Sequence, residues 1–449
     1  MYEHCRMDLD SAFAFSVDYY VVHAYQFLIK CYYPGDKIYL FGFSRGSFVC
    51  RILAGMIEKI GLLDKGLKSM VNTAWQIYQK WEKDGQPTTV KDSGCFSISE
   101  FKRTFCRQNV KIEFMGLWDS INSCGIIRDR LFPYASSSAH VGHVRHAVSI
   151  NERRAKLKQN LFVPYSYLPS LFGIDSRGEE VPLLGDTDRH PRNCSDDLLE
   201  VWFPGDHSDV GGNWPPDIGG HELANVSFRW ILSYAIEFGV LFKRGSVHEF
   251  AEKYTSLASV LSSHHDCLCL IRHNQAIHNT LCPKPRDSQY LFPDVDKLVV
   301  LPDVPVKRDD CRGNDGILRT LFWWFVEILP VGYLIENTKG KWRPVYSPNL
   351  GRSRTVPEAA KIHWSLIWRT KFVADYKSPN LPDIYQRLTN AIRKEENAEP
   401  GTSPITTAQL IDFRTGIINA NCLLDGPIDI DFVDIPDDLS LCISMYPDL

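Results

Sequence analysis

The residues best suited to chemistry are Gly42-Phe43-Ser44-Arg45-Gly46. They stand between a short apolar run at 37–41 (KIYLF) and a segment at 48–60 with helical patterning that stops at Gly61. A G-x-S-x-G between strand and helix reads as a nucleophile elbow. Gly42 and Gly46 leave room for a strained turn that exposes the Ser44 hydroxyl at the strand's end. The Arg45 amide, at the helix start, then faces the place where an oxyanion would form. The competing reading is a structural strand–helix turn without chemistry.

A serine needs a base, and the base needs an orienting acid. In a strand–helix hydrolase these follow in the order Ser, Asp, His, at strand ends. Asp119 follows the apolar run 110–118 (VKIEFMGLW), and His207 follows the run 199–203 (LEVWF), in the loop GDHSDVGG at 205–212. Asp119 also reads as a turn or capping aspartate, and His207 as a loop histidine held by its neighbours. Asp209 would orient the imidazole or brace the loop. Asp206, His207 and Asp209 together admit a metal-ligand reading, but no other His/Asp cluster converges on them in sequence, so no metal is assigned. His363, in Ile362-His363-Trp364-Ser365, is the competing general base. The basic block 145–154 would bind an anionic headgroup or form a solvated or salt-bridged helix face. The aromatic run LFWWFVEILPV, opening at Leu321 and closing at Val331, reads as core or as a cap over the site. Its sharper reading is peripheral contact with a membrane.

The elements that must position these groups alternate. Helix is expected over 12–32, 48–60 and 221–240, and over the first part of 64–95 before a polar loop. Buried strands are expected at 37–41, 110–118 and 199–203, and the basic stretch 146–158 as helix. That alternation predicts an α/β fold, with a mostly parallel sheet flanked by helices and a helical or irregular C-terminal extension. Three regions are expected: a catalytic region at 1–245, a cap or extension of the same domain at 246–393, and a linker with an acidic tail at 394–449. Within that tail, Ile428, Ile430 and Phe432 alternate with aspartates, as a short edge strand would.

Bulk composition excludes other classes. The 449 residues carry a net charge of −4, with 44% hydrophobic and 23% charged residues. Such a chain is neither disordered nor a nucleic-acid binder acting through bulk charge. Thirteen cysteines without a CxxC pair predict reduced thiols. Neither a signal peptide nor an apolar span of bilayer length is read from the sequence, so a cytoplasmic location is expected.

With these motifs assembled, the chain resembles an uncharacterised α/β-hydrolase-like domain family with many fungal members, to which the phospholipase effectors of type VI secretion are related. The resemblance rests on YLFGFSRG at 39–46 with AGMI at 54–57, GLWDS at 116–120, RHAVSINERR at 145–154 and EVWFPGDHSDVGG at 200–212. It implies a serine esterase or lipase acting on lipid or phospholipid acyl esters. Ser44, Asp119 and His207 carry over as its triad, and no cofactor is implied. Members usually open with a strand ending in Asp-Gly-Thr, and fungal ones add Gly-Ile-Gly-Thr; this sequence has neither. Only 36 residues precede Lys37, too few for the strands expected before an elbow. An N-terminally truncated sheet is therefore expected, with an unpaired edge and without the loop that gives the second oxyanion donor. The alternative function is an impaired remnant serving as an interaction domain. Smaller departures are Ser47-Phe48-Val49-Cys50, Asn151 and Asn213.

Overall fold

The computed structural model describes residues 15–83, 93–121, 140–162, 195, 197–217, 221–269, 307–308, 317–329, 333–336, 342–345, 347–374, 376–393, 405–419, 435–437 and 439–446. The expected linker at 394–404, and the expected edge strand at 428–432, lie outside these residues.

Helix α1 (Phe15–Cys31) buries Val17, Val21, Tyr25 and Ile29, one residue per turn on a single face. The Tyr25 hydroxyl donates to the Gly61 carbonyl at 2.6 Å and accepts the Leu63 amide at 3.0 Å. Burial pushes this phenol above its usual pKa. A turn closed by the Tyr33 amide on Asp36 Oδ2 leads into strand β1 (Ile38–Phe43). Helix α2 (Arg45–Lys59) follows at once and buries Phe48, Ile52, Leu53 and Met56. Gly61 ends it at φ +91°, where a Cβ would stand 2.7 Å from that of Cys106. Helix α3 (Val71–Lys83) adds Trp75, Tyr78 and Trp81 to the same core.

Strand β2 (Ile112–Trp118) pairs parallel with β1 from Ile38 against Ile112 to Phe43 against Trp118. With β3 (Val141–Ser149), β4 (Asp197–Phe203) and β5 (Lys361–Ile362) it forms a five-stranded sheet in the order β1-β2-β3-β4-β5. β4 and β5 are parallel as well. The expected α/β architecture, a mostly parallel sheet flanked by helices, is therefore the observed one.

One expected element is overturned. The basic stretch 146–158 is not a helix: its first residues finish β3, and a short 3-10 turn at Ala155–Leu157 follows. Glu152, Arg154, Lys156 and Lys158 are buried, and His146, Arg153 and Arg154 are paired with acids, so tertiary partners decide the conformation rather than a solvated helical pattern.

The chain divides into two compact units. The first comprises residues 1–146, 156–200 and 330–348, and the second 147–155, 201–329 and 349–449. The first holds the core built from α1, α2 and α3. The second contains the short helix α4 (His207–Gly211), α5 (Ala224–Glu237), α6 (Ile317–Ile328) and α7 (Ser365–Phe372). Trp230, Trp364 and Trp368 are buried within it. No helix among the described residues is long and apolar enough to cross a membrane.

Candidate functional site

Ser44 sits at the junction of β1 and α2 with φ 60° and ψ −125°. A non-glycine residue rarely adopts this conformation, and it persists only where the surroundings impose it. Here the Ser44 amide donates to the Trp118 carbonyl at 2.9 Å, which fixes the turn to the end of β2. Ser47 Oγ donates to the carbonyls of Gly42 and Trp118, adding a second clamp. Gly42 is obligatory, because a Cβ there would lie 2.6 Å from the Gly46 carbonyl carbon. At Gly46 a Cβ would meet open space. Arg45 opens α2, so its amide belongs to the first, unpaired turn of a helix whose dipole favours negative charge.

Asp119 lies directly beside this turn. Phe43 and Trp118 are register partners, so Ser44 and Asp119 stand one residue past the ends of adjacent parallel strands. Asp119 is wholly buried and also has a positive φ, 42°. Its position is held from behind. The Ser120 amide donates to His146 Nε2 at 3.0 Å, so the proton of that ring is on Nδ1, which donates to Glu200 Oε1 at 2.7 Å. Glu200 also accepts the Phe162 amide. Buried Arg51 reaches Ser120 Oγ at 3.2 Å and the carbonyls of Asn160 and Leu161, with its guanidinium 3.8 Å from the Phe162 ring centroid.

His207 belongs to the second unit. It is the first residue of α4 and is 5% exposed. Asp206 caps this helix, its side chain accepting the Ser208 and Asp209 amides at 2.9 Å while Asp209 Oδ2 accepts the Asp206 amide. The His207 amide donates to Glu152 Oε2 at 3.2 Å. Glu152 also accepts the Arg153 and Arg154 amides and pairs with the Arg154 guanidinium at 2.7 Å. Burial alone would raise the Glu152 carboxyl; the Arg154 charge and hydrogen bonds outweigh it and hold the group at about 2. Asp206 goes the other way. Burial, then the neighbouring Asp209 and Glu152 charges, push it up to about 7 against Arg154.

Asp209 braces the loop through a histidine that sequence reading did not single out. Its Oδ1 meets His265 Nδ1 at 2.6 Å and its Oδ2 accepts the His265 amide at 2.8 Å. The His265 ring stacks on Trp214 at 4.3 Å. His363 is fully buried one residue past β5, stacked on Phe203 at 4.3 Å, with Nδ1 2.9 Å from Ser365 Oγ. The described residues hold no group of three or more His, Cys, Asp or Glu side chains arranged for a metal. Cys31, Cys50, Cys106, Cys267, Cys269 and Cys442 are free thiols.

Sequence reasoning does not single out the supporting residues Arg51, Ser120, His146, Glu200, Glu152, Arg154 and His265. Two local signals exist: charged residues inside otherwise apolar stretches, at Arg51 and in the 145–154 block. His265, the ring partner of Asp209, is 56 residues away in sequence and the Leu161 carbonyl that Arg51 reaches is 110 away, and neither carries a local signal.

Residues 1–234 match the family model described as T6SS, phospholipase effector Tle1-like, catalytic domain. The uncharacterized protein YEL023C of Saccharomyces cerevisiae is 38% identical over an alignment of 493 residues, covering 86% of this chain and 72% of the yeast protein. Among solved structures, an uncharacterized protein from Pseudomonas aeruginosa is 18% identical with a TM-score of 0.27. That match covers 50% of this chain, which spans 27% of the Pseudomonas chain. On the first two matches, the chain belongs to the Tle1-like phospholipase effector catalytic-domain family.

Proposed function

We propose that this protein is a serine hydrolase that cleaves carboxylic esters of lipids, phospholipid acyl esters in particular, with Ser44, His207 and Asp119 as its triad. The observation that carries this reading is the strained Ser44 at a strand end, clamped to the strand that delivers Asp119. Membership in a family named for phospholipase effectors supports the substrate class.

In this mechanism Ser44 Oγ attacks the acyl carbonyl carbon as the His207 imidazole takes its proton. Asp119 orients that imidazole and stabilises its charged form. The Arg45 amide donates to the oxyanion of the tetrahedral intermediate, in the field of the α2 N-terminus. Collapse expels the alcohol, lysophospholipid in the case of a phospholipid, which takes the proton from His207. Water, deprotonated by the same imidazole, then releases the fatty acid. Neither a metal nor an organic cofactor takes part in these steps. Asp206, Asp209, Glu152 and Arg154 are positioning residues, since they act by fixing the start of α4.

The test is product analysis by mass spectrometry after incubation with phosphatidylcholine and phosphatidylglycerol vesicles. Free fatty acid and lysophospholipid should appear in equal amounts and be lost in Ser44→Ala and His207→Ala. Activity that survives Ser44→Ala but not a chelator would replace this reading with the metal-dependent one.

A further inference from the structure

A cleft opens beside α4 within the second unit, between the loop that joins α4 to α5 and the segment 262–265. Ser208 and Asp209 line it, the two residues that follow His207. Its other walls include Asp217, Glu222, Ser263 and His265, and among the described residues no lysine or arginine lines it. Hydrogen bonds fix these walls. The Asp217 amide donates to the His221 carbonyl at 2.9 Å, which closes the loop and brings Asp217 and Glu222 to the same cleft. The Ser263 amide donates to Asp217 Oδ2 at 2.7 Å, and buried Arg369 donates to the neighbouring Ser262 carbonyl at 2.8 Å. Asp209 holds both the amide and the ring of His265.

Three observations bear on what this cleft takes. The first is an orphaned hydroxyl. Ser263 is 5% exposed and its Oγ has no hydrogen-bond partner; of the buried hydroxyls unpartnered among the described residues, it is the one that lines this cleft. Native folds match nearly all such groups, because an unpaired buried one is costly. The second is charge. Asp209 is matched by His265, but the Glu222 carboxylate makes no hydrogen bond or ion pair among the described residues. Burial, then the Asp217 charge, push the Glu222 carboxyl above its usual range, against a smaller effect of His265. The third is size: the open space is that of about one water molecule. An –NH3+ group is of that size and carries three hydrogen-bond donors. A trimethylammonium group is larger, carries no N–H, and binds to open aromatic faces. Trp214, the aromatic lining this cleft, is instead covered on one face by the His265 ring at 4.3 Å.

We propose that this cleft binds a primary ammonium group, the one carried by the ethanolamine headgroup of a lipid ester. Glu222 and Asp217 accept two of its N–H groups and Ser263 Oγ accepts the third. The headgroup part rests on the lipid-ester reading above and deepens it. His207 opens the helix whose next two residues line the cleft, so a headgroup held there is held beside the general base. The acceptors are fixed before the ligand arrives, which leaves little ordering for binding to do. The site thereby makes the chain discriminate ethanolamine lipids from choline lipids. A free primary amine presents the same group, and the experiment separates the two sources.

The experiment has a binding arm and a hydrolysis arm, both with the full-length chain. In calorimetric titrations glycerophosphoethanolamine should bind, and glycerophosphocholine should bind about 10-fold more weakly or less. Glu222→Gln should weaken glycerophosphoethanolamine about 10-fold. Ser263→Ala removes a hydroxyl that no hydrogen bond of the fold uses; it should melt no lower than the parent and still weaken binding. In mixed detergent micelles the rate on phosphatidylethanolamine should exceed that on phosphatidylcholine by about 10-fold, and Glu222→Gln should bring the ratio toward unity. Equal binding of the two glycerophospho compounds, binding of neither, or binding unchanged in both Glu222→Gln and Ser263→Ala overturns the proposal. Calcium that binds in place of the amine, and is lost in the same variants, also overturns it and assigns the cleft to a metal. Ethanolamine alone binding as tightly as glycerophosphoethanolamine, with a rate ratio near unity in the parent, keeps the ammonium site and rejects the lipid headgroup as its source. Binding by a chain that hydrolyses no ester keeps the cleft and rejects only the catalytic reading.

Discussion

Removing the Glu152 carboxylate should be among the most damaging single changes in the second unit. Its two oxygens accept five hydrogen bonds, from the amides of Arg153, Arg154 and His207 and from the Nε and terminal nitrogen of Arg154. Both partners of the ion pair are buried, Glu152 at 2% exposure and Arg154 at 7%. Breaking a buried pair from one side leaves an uncompensated charge and costs about 3–5 kcal/mol. Glu152→Ala should therefore lower unfolding free energy by about that amount, read as a shift in urea midpoint at constant slope by tryptophan fluorescence. Glu152→Ala/Arg154→Met should recover part of the loss, because no unpaired charge then remains. A double-mutant cycle should give a coupling of about 2 kcal/mol or more. A Glu152→Ala loss below about 1 kcal/mol, or a cycle that sums without coupling, would refute the claim that this pair holds the start of α4.

Three other changes follow from the same geometry. Gly42→Ala places a Cβ within 2.6 Å of the Gly46 backbone, so the Ser44 turn must move; ester hydrolysis should be lost while circular dichroism stays native. Arg51→Ala strands the buried carbonyls of Asn160 and Leu161 and the Ser120 hydroxyl; thermal melts should show a loss of about 2–4 kcal/mol. Asp206 and Glu152 give opposite pH dependences. The Asp206 carboxyl is raised to about 7, so the fold holds its proton more tightly than the unfolded chain does; that stability is complete below about pH 4 and lost as pH rises through 7. Glu152 is depressed to about 2, so its contribution is present above about pH 4.5 and lost as pH falls toward 2. Asp206→Asn keeps a cap acceptor and should flatten the decline between pH 4 and 7 in urea titrations.

What could be read from sequence divides along the range of the interactions. The β1–turn–α2 unit was legible because its signals are local: an apolar run, two glycines around a serine, and a helix ended by Gly61. The strands before Asp119 and His207 were legible for the same reason, each being a short apolar run stopped by a turn. In the 145–154 block the expected salt bridges form but the expected helix does not, because most of the partners are distant in sequence. Arg145, His146, Arg153 and Arg154 are matched by Asp197, Glu200, Asp266 and Glu152, and three of those four acids lie more than 50 residues away. The brace between Asp209 and His265 was illegible for that reason too. For α6, the aromatic run was visible, but its division into a covered face (Thr320, Val326, Glu327) and an open one (Leu318, Leu321, Phe322, Phe325, Ile328) was not; Pro330 and Val331, which end the run, lie outside the described residues. That division depends on Glu327 finding the Ala155 and Gly351 amides, a match made only in the folded chain.

The most direct test of the central claim is labelling of the purified full-length chain with a fluorophosphonate probe, followed by peptide mapping. A serine hydroxyl activated by a base is captured covalently, whereas an ordinary hydroxyl is not. The expected result is stoichiometric modification of Ser44, abolished in Ser44→Ala, strongly reduced in His207→Ala and Asp119→Ala, and unchanged in His363→Ala. A folded chain whose Ser44 is not labelled, or one labelled equally well without His207, would contradict the assignment of Ser44 and His207 as nucleophile and base.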